Sequence, residues 1–415
     1  MSFSKISCGA VLLAAVSLLL LATAHPAFAQ TETVLYNFGT NSPDGTQPYG
    51  GVVMDKSGNS YGVTNGGGAY NGGAVYELSA SGTETLLYSF GASTTDGNGP
   101  MAGVIIDSKG NLYGTTVVGG TYGYGTAFEL SPSSTGAWTE TILHNFGASA
   151  TDGTYPVAPL VIDKKGNLYG TTSSDNTNSS GTVFKLIPTT VTKKGKKTTT
   201  WAESVLYTFT NSDYPLAGLI MDKSGNLYGT TAYGGANAAG DVFEVTASGT
   251  ETVLYSFGTT ATDGNNPEGA LLMDSKGNLY GTTMGSGAYN CGVLFELTPT
   301  TGAETVLYSF GATTTDGTYP SATLVEDKKS NFYGTSSSGG STGYGTLFKV
   351  GQVTVVVNKK KTKVWEETIL YNFGASSTDG QYPNGTLLMN TAGNLYGTTY
   401  AGGTNTDGTV FEVIP

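Results

Sequence analysis

From residue 30 onward the chain alternates short apolar runs with punctuation by Gly, Asn, Asp and Pro. The runs last 5 to 8 residues and are rich in Val, Ile, Leu, Thr, Tyr and Phe, which predicts strands separated by turns. No helical period appears after residue 30. One run, of the form E-[TS]-x-L-[YH]-x-F, recurs seven times and ends at Phe38, Phe90, Phe146, Phe209, Phe257, Phe310 and Phe373. A loop follows each Phe, carrying Asp-Gly in six copies and a Pro in all seven. Next come a run closing on Asp or Asn, the phrase Gly-Asn-Leu-Tyr-Gly-Thr-Thr (as at 110–116), a Gly-rich loop, and a run such as Val183-Phe184-Lys185-Leu186.

Each copy therefore holds four strands: A after the Pro, B at Leu-Tyr-Gly-Thr-Thr, C at Val-Phe-Glu-Leu and D at Leu-Tyr-x-Phe. Four strands in some 55 residues is the period of a propeller blade, whereas solenoid coils are shorter and need caps. The prediction is an all-β, seven-bladed β-propeller of four-stranded blades. The mature chain starts on an orphan D strand (31–38) and ends on a C strand (408–414), so the N-terminal strand is expected to complete the last blade and close the ring.

The order E-T-V-L-Y-S-F, D-G, G-N-L-Y-G-T-T, G-G, G-T-V-F-E-L resembles the exported bacterial tandem repeat known as GloVer, and more distantly NHL and gluconolactonase-like propeller blades. The resemblance covers the chain after its leader and implies an exported β-propeller; it brings no activity with it.

The leader is residues 1–29. Lys5 precedes an apolar stretch from Gly9 to Ala22, and Ala27-Phe28-Ala29 offers a cleavage site. Residues 30–415 are expected to form one propeller domain, secreted to the periplasm or the extracellular space, with no integral membrane segment. Composition then narrows the partners. The net charge is -12, all 19 basic residues are Lys, and Arg is absent, which disfavours phosphate and nucleic-acid binding. Past the leader only Cys291 and His144 remain of their kinds, so no intramolecular disulfide can form. Cys291 reads as incidental, and His144 fills a slot that Tyr holds in the sister copies.

Small residues at Ala102-Gly103, Ala217-Gly218 and Gly269-Ala270 place strand A innermost. The residues after each Pro (Tyr49, Met101, Val157, Leu216, Glu268, Ser321 and Asn384) should then line the channel mouth, supplying one acid and no base. The Asp ending strand A, as at Asp55 and Asp107, reads as a turn former. D–A and B–C loops leave a blade on one side, and this face is the expected ligand surface. Its candidates are Tyr70, Tyr122, Tyr124, Tyr233, Tyr289, Tyr344 and Tyr400 from B–C loops, and Tyr155, Tyr214, Tyr319 and Tyr382 from D–A loops. Asp96, Asp152, Asp263, Asp316 and Asp379 lie beside them and read either as turn formers or as ligand contacts. Two hairpins, 192–201 with Lys193, Lys194, Lys196 and Lys197 and 355–365 with Lys359, Lys360, Lys361 and Lys363, hold eight lysines on the other face. They read as solvated tips, or as a dock for an acidic envelope polymer.

The expected function is a non-catalytic binding or scaffold module for polysaccharide of the cell envelope or matrix. The alternative is a divergent cation-dependent hydrolase or lactonase. No cofactor or metal is expected, calcium being the one ion considered, and the protein is expected to be monomeric.

Overall fold

The computed structural model describes residues 32–175, 180–193, 196–210, 213–357 and 359–415. Residues 1–29, which the sequence predicts to be a leader, and Lys194 lie outside them. The described residues form seven antiparallel blades and no helix, so no helix is long and apolar enough to cross a membrane. Blade 1 comprises Val53–Met54, Ser60–Thr64, Ala74–Leu78 and Glu84–Ser89, hydrogen-bonded in the order A-B-C-D. Blades 2 to 5 repeat this order, and blades 6 and 7 keep it while adding a fifth strand, Gly317–Pro320 and Gly380–Pro383, paired with an extended strand B. In blade 7 the fourth strand is Glu32–Asn37, which pairs with Thr409–Val413 from Glu32 opposite Val413 to Asn37 opposite Thr409. The predicted ring closure is present.

Strand A differs from its expected length, having two residues where a run of five or more was read. The cause is crowding at the axis. A Cβ on Gly50 would lie 2.3 Å from the backbone nitrogen of Gly103 in the next blade, so the leading residues pack as bare backbone instead of pairing. A hydrogen bond from Asp55 N–H to the Asn59 carbonyl then turns the chain into strand B. The Asp55 carboxylate accepts the Ser57 and Asn59 N–H groups, the Asn59 amide and the Tyr61 hydroxyl. In the equivalent turns burial raises the pKa of Asp163 and Asp327, but hydrogen bonds from Asn167 and Asn331 outweigh it and hold both below the ordinary carboxylate range.

The cores sit between blades. One cluster joins Tyr61, Val63, Val75 and Phe90 of blade 1 to Val104, Leu112, Phe128 and Leu130 of blade 2. At its centre the Phe that ends strand D meets the strand C aromatic of the next blade. Phe90 and Phe128 lie 5.0 Å apart, and across the ring closure Phe38 lies 5.0 Å from Tyr76. The strand B glycine makes room for that ring, since a Cβ on Gly114 would sit 2.6 Å from the tip of Phe128.

A register shift breaks the C–D pairing of every blade at the same place, between Val75 and Tyr76 in blade 1 and between Ala127 and Phe128 in blade 2. In blade 1 Glu84 and Leu86 oppose Leu78 and Tyr76, whereas past the shift Tyr88 opposes Val75, on the other side of the sheet. One strand thus sends its Glu toward the preceding blade and its Tyr toward the following one. Between blades 1 and 2 the Tyr88 hydroxyl donates to Asp96, with Glu140 of blade 2 beside them. The set recurs as Tyr36, Asp44, Glu84 and as Tyr371, Asp379, Glu32.

Burial first, and the neighbouring Asp second, push the carboxyls of Glu32, Glu84, Glu140 and Glu304 up to about 7. A raised pKa means that the folded state holds the proton more tightly. This contribution to stability is whole below the ordinary Glu pKa and is lost as pH climbs through the folded value. The melting temperature is therefore expected to fall between about pH 5 and about pH 8, and Glu84→Gln should flatten that slope; a pH-independent melt across this range in scanning calorimetry would contradict it. Phe38→Ala should cost about 3–5 kcal/mol in urea unfolding, because it leaves a cavity in the closing interface, and deleting residues 30–39 should cost more, because it also removes the strand that closes the ring.

Candidate functional site

D–A and B–C loops of one blade pair with each other, Gly45 opposite Gly67 and Thr46 opposite Gly66 in blade 1, which puts both loop sets on one face. The loops also clasp neighbouring blades. Tyr155 N–H donates to the Tyr124 carbonyl at 3.0 Å, Tyr382 to Tyr344 at 2.9 Å, and Tyr319 to Cys291 at 3.1 Å. The residue that makes this bond is left-handed in each case: φ is 58° at Tyr155 and Tyr319 and 57° at Tyr382. Gln47, Gly99 and Asn266 hold the same place at 58°, 64° and 54°. Gly or Asn fills such a position at least cost, so three tyrosines there are conformationally unfavourable unless their rings gain something. Tyr155 and Tyr382 pack edge-on at 5.5 Å against Tyr124 and Tyr344.

The tyrosines divide by burial. Tyr70, Tyr122, Tyr155, Tyr233, Tyr289 and Tyr382 are between 36% and 57% exposed. Tyr124, Tyr214, Tyr319, Tyr344 and Tyr400 are half-buried. Tyr124 and Tyr344 lie over Gly147 and Gly374, where a Cβ would come within 2.4 Å of the ring, so they brace the loops. Tyr214 stacks edge-on against Tyr233 at 5.8 Å.

Asp96, Asp152, Asp263, Asp316 and Asp379 are buried, and each accepts the N–H of the residue four positions earlier, from Ala92, Ala148, Thr259, Ala312 and Ala375. Tyr88, His144, Tyr255, Tyr308 and Tyr371 supply the side-chain partners. These carboxylates hold the loop in shape and face the blade interface. The glutamates that share the interface were not singled out in the sequence, although Glu recurs at the head of the strand D phrase as regularly as Tyr. Cys291 is buried, its thiol bonded to the Tyr289 carbonyl.

At the axis the seven residues after the prolines converge on a cavity of about 350 Å³. They differ in every blade and sort into two arcs. Met101, Val157 and Leu216 form an apolar side in blades 2, 3 and 4; Glu268, Ser321, Asn384 and Tyr49 form a polar side running from blade 5 round to blade 1. Ser321 Oγ donates to Asn384 Oδ1 at 3.2 Å, and Tyr400 packs edge-on against Tyr49 at 6.0 Å, linking the cavity to the loop tyrosines. Burial raises the pKa of Glu268, and it raises that of Tyr49 against an opposing hydrogen bond from Asn384.

Residues 23–200 and 193–364 match the profile of the Gloeobacter/Verrucomicrobia repeat, and the chain belongs to that family. No curated protein matches it. Similar solved structures include a proposed 6-phosphogluconolactonase from Bacteroides uniformis, 13% identical over 80% of this chain and 88% of that one, with a TM-score of 0.48. The Trypanosoma rangeli sialidase is 12% identical over 81% of this chain and 56% of that one, with a TM-score of 0.43.

Because the loop carboxylates are buried partners of the backbone, Asp316→Ala should lower stability by about 2–4 kcal/mol in urea unfolding. An unchanged midpoint would mean that Asp316 is free for a ligand.

Proposed function

We propose that this member of the repeat family is an exported, non-catalytic binding module that takes a neutral glycan on its loop face. One observation carries the reading. Six exposed tyrosines share the face that opens onto a cavity with one apolar and one hydroxyl- and amide-lined side. Sugars have the same two-sidedness, apolar C–H faces for aromatic stacking and hydroxyls for hydrogen bonds. A sole carboxyl among the described cavity residues, Glu268, favours an uncharged ligand over an anion. Catalysis of the hydrolase or lactonase type fits less well. Paired carboxylates or a cation's ligand set would have to converge on the cavity, and Glu268 stands there alone among the described residues.

A glycan array on the protein lacking residues 1–29 should identify a neutral oligosaccharide. Calorimetric titration should then show Tyr122→Ala with Tyr233→Ala, or Glu268→Gln with Tyr49→Ala, weakening binding by roughly tenfold or more at unchanged melting temperature. Binding that survives both double variants, or that is lost on exchanging Lys359, Lys360, Lys361 and Lys363 for Gln, would overturn the assignment to this face.

A further inference from the structure

His144 breaks the pattern of the blade interfaces. It stands in strand D of blade 2 (Trp138–Asn145), where the other six blades carry Tyr, and it meets Asp152 of the following loop and Glu203 of strand D in blade 3 (Lys196–Thr208). The exchange alters the chemistry of the site. A phenol keeps its proton at neutral pH and can only donate to the two carboxylates, whereas a neutral imidazole offers a lone pair. His144 Nε2 lies 3.2 Å from Asp152 Oδ2 and 3.3 Å from Oδ1, and ligand atoms of all three residues lie within 4.8 Å of one another.

We propose that His144, Asp152 and Glu203 form a binding site for a late first-row divalent cation, zinc above all, that staples blade 2 to blade 3. The geometry suits such an ion. Bonds of about 2.0–2.1 Å at tetrahedral angles hold ligand atoms about 3.3 Å apart, close to the His144–Asp152 spacing, and only Glu203 has to draw in. Glu203 has capacity to spare, since its Oε1 is buried without a hydrogen-bond partner; Glu32, Glu84, Glu140, Glu304 and Glu367 share that feature at the sister interfaces, and the imidazole is what distinguishes this one. Asp152 Oδ2 accepts the Ala148 N–H at 2.8 Å, which fixes the carboxylate and leaves Oδ1, 3.3 Å from His144 Nε2, to face an ion, and His144 is braced edge-on by Phe146 at 4.8 Å, so two ligands are oriented before an ion arrives. The His144 side chain is 17% exposed, which leaves the ion a route in and a fourth position for water. Nitrogen in the donor set and the small ligand number disfavour calcium, which takes six or more oxygens. The sister interfaces have no nitrogen ligand at this place, so one site per chain is expected.

The simpler account of the same contact is an ion pair between protonated His144 and Asp152, and the test separates the two. The purified full chain, stripped of metal, is titrated with Zn²⁺ by calorimetry and melted with and without micromolar Zn²⁺ or Ca²⁺; Co²⁺ is added as a visible-absorption probe of nitrogen ligation. The expected result is one Zn²⁺ per chain, a raised melting temperature with Zn²⁺ and not with Ca²⁺, and a Co²⁺ d–d band. His144→Tyr installs the residue that the sister interfaces use, so it should melt like the stripped parent while losing the zinc shift and the cobalt band. Glu203→Gln should weaken zinc binding at least tenfold and serves if His144→Tyr does not fold. No zinc shift in the parent, an equal shift in His144→Tyr, or an equal response to Ca²⁺ would overturn the site.

Discussion

A blade of this protein is a single four-stranded sheet with apolar side chains on both faces, and neither face can leave water except against another blade. Everything else in the molecule is arranged around that need. Seven interfaces, each with a Phe from the end of one strand D wedged against the strand C aromatic of the next blade, hide the apolar faces only if the circle is complete. This is why Glu32–Asn37 is carried from one end of the sequence to the sheet at the other. The register shift in the C–D pairing is the local device that serves it, because a strand of strict two-residue period would turn Glu84 and Tyr88 to the same side.

The interfaces also set the terms on which polar groups are buried. Placing two carboxyls beside a phenol costs less when one of them keeps its proton, and the elevated pKa values of the interface glutamates follow from that. The same packing fixes the loop face: Asp96 and its counterparts shape the D–A loops from below, and the left-handed residues at Tyr155, Tyr319 and Tyr382 clip each loop to its neighbour from above. Apart from His144 in one interface and the two long C–D hairpins, what varies most between copies lies in the tips of the loops and in the residues facing the axis.

The architecture was legible because it is written seven times. The Phe at the end of strand D and the strand B glycine recur where packing allows no alternative, the Gly-Asn turn recurs in six copies because its backbone is left-handed, with Ser330 taking the place in the sixth, and the channel residues could be named from their place after Pro. The orphan first strand gave away the closure in the same manner. Less was visible where function of a side chain depends on what lies across an interface. The Asp-Gly carboxylates look like loop-surface acids in sequence, and only the neighbouring strand shows that Tyr88 or His144 and the next blade's Glu enclose them. Strand A looked longer than it is, because apolar character there reflects burial at the axis and not pairing.

The two long hairpins have a mechanical consequence. Strands C and D reach Thr182–Lys193 and Lys196–Thr208 in blade 3, and Thr346–Val357 and Lys360–Asn372 in blade 6, against Asp241–Val245 and Glu251–Ser256 in blade 4. Seven additional residues of extended chain stand roughly 20 Å proud of the ring. Blades 3 and 6 sit nearly opposite each other in a circle of seven, so any flat surface approaching this side touches two cationic feet before it touches the disc. Two such feet fix a line and not a plane, so contact through them alone would leave the disc free to rock about the line joining blades 3 and 6.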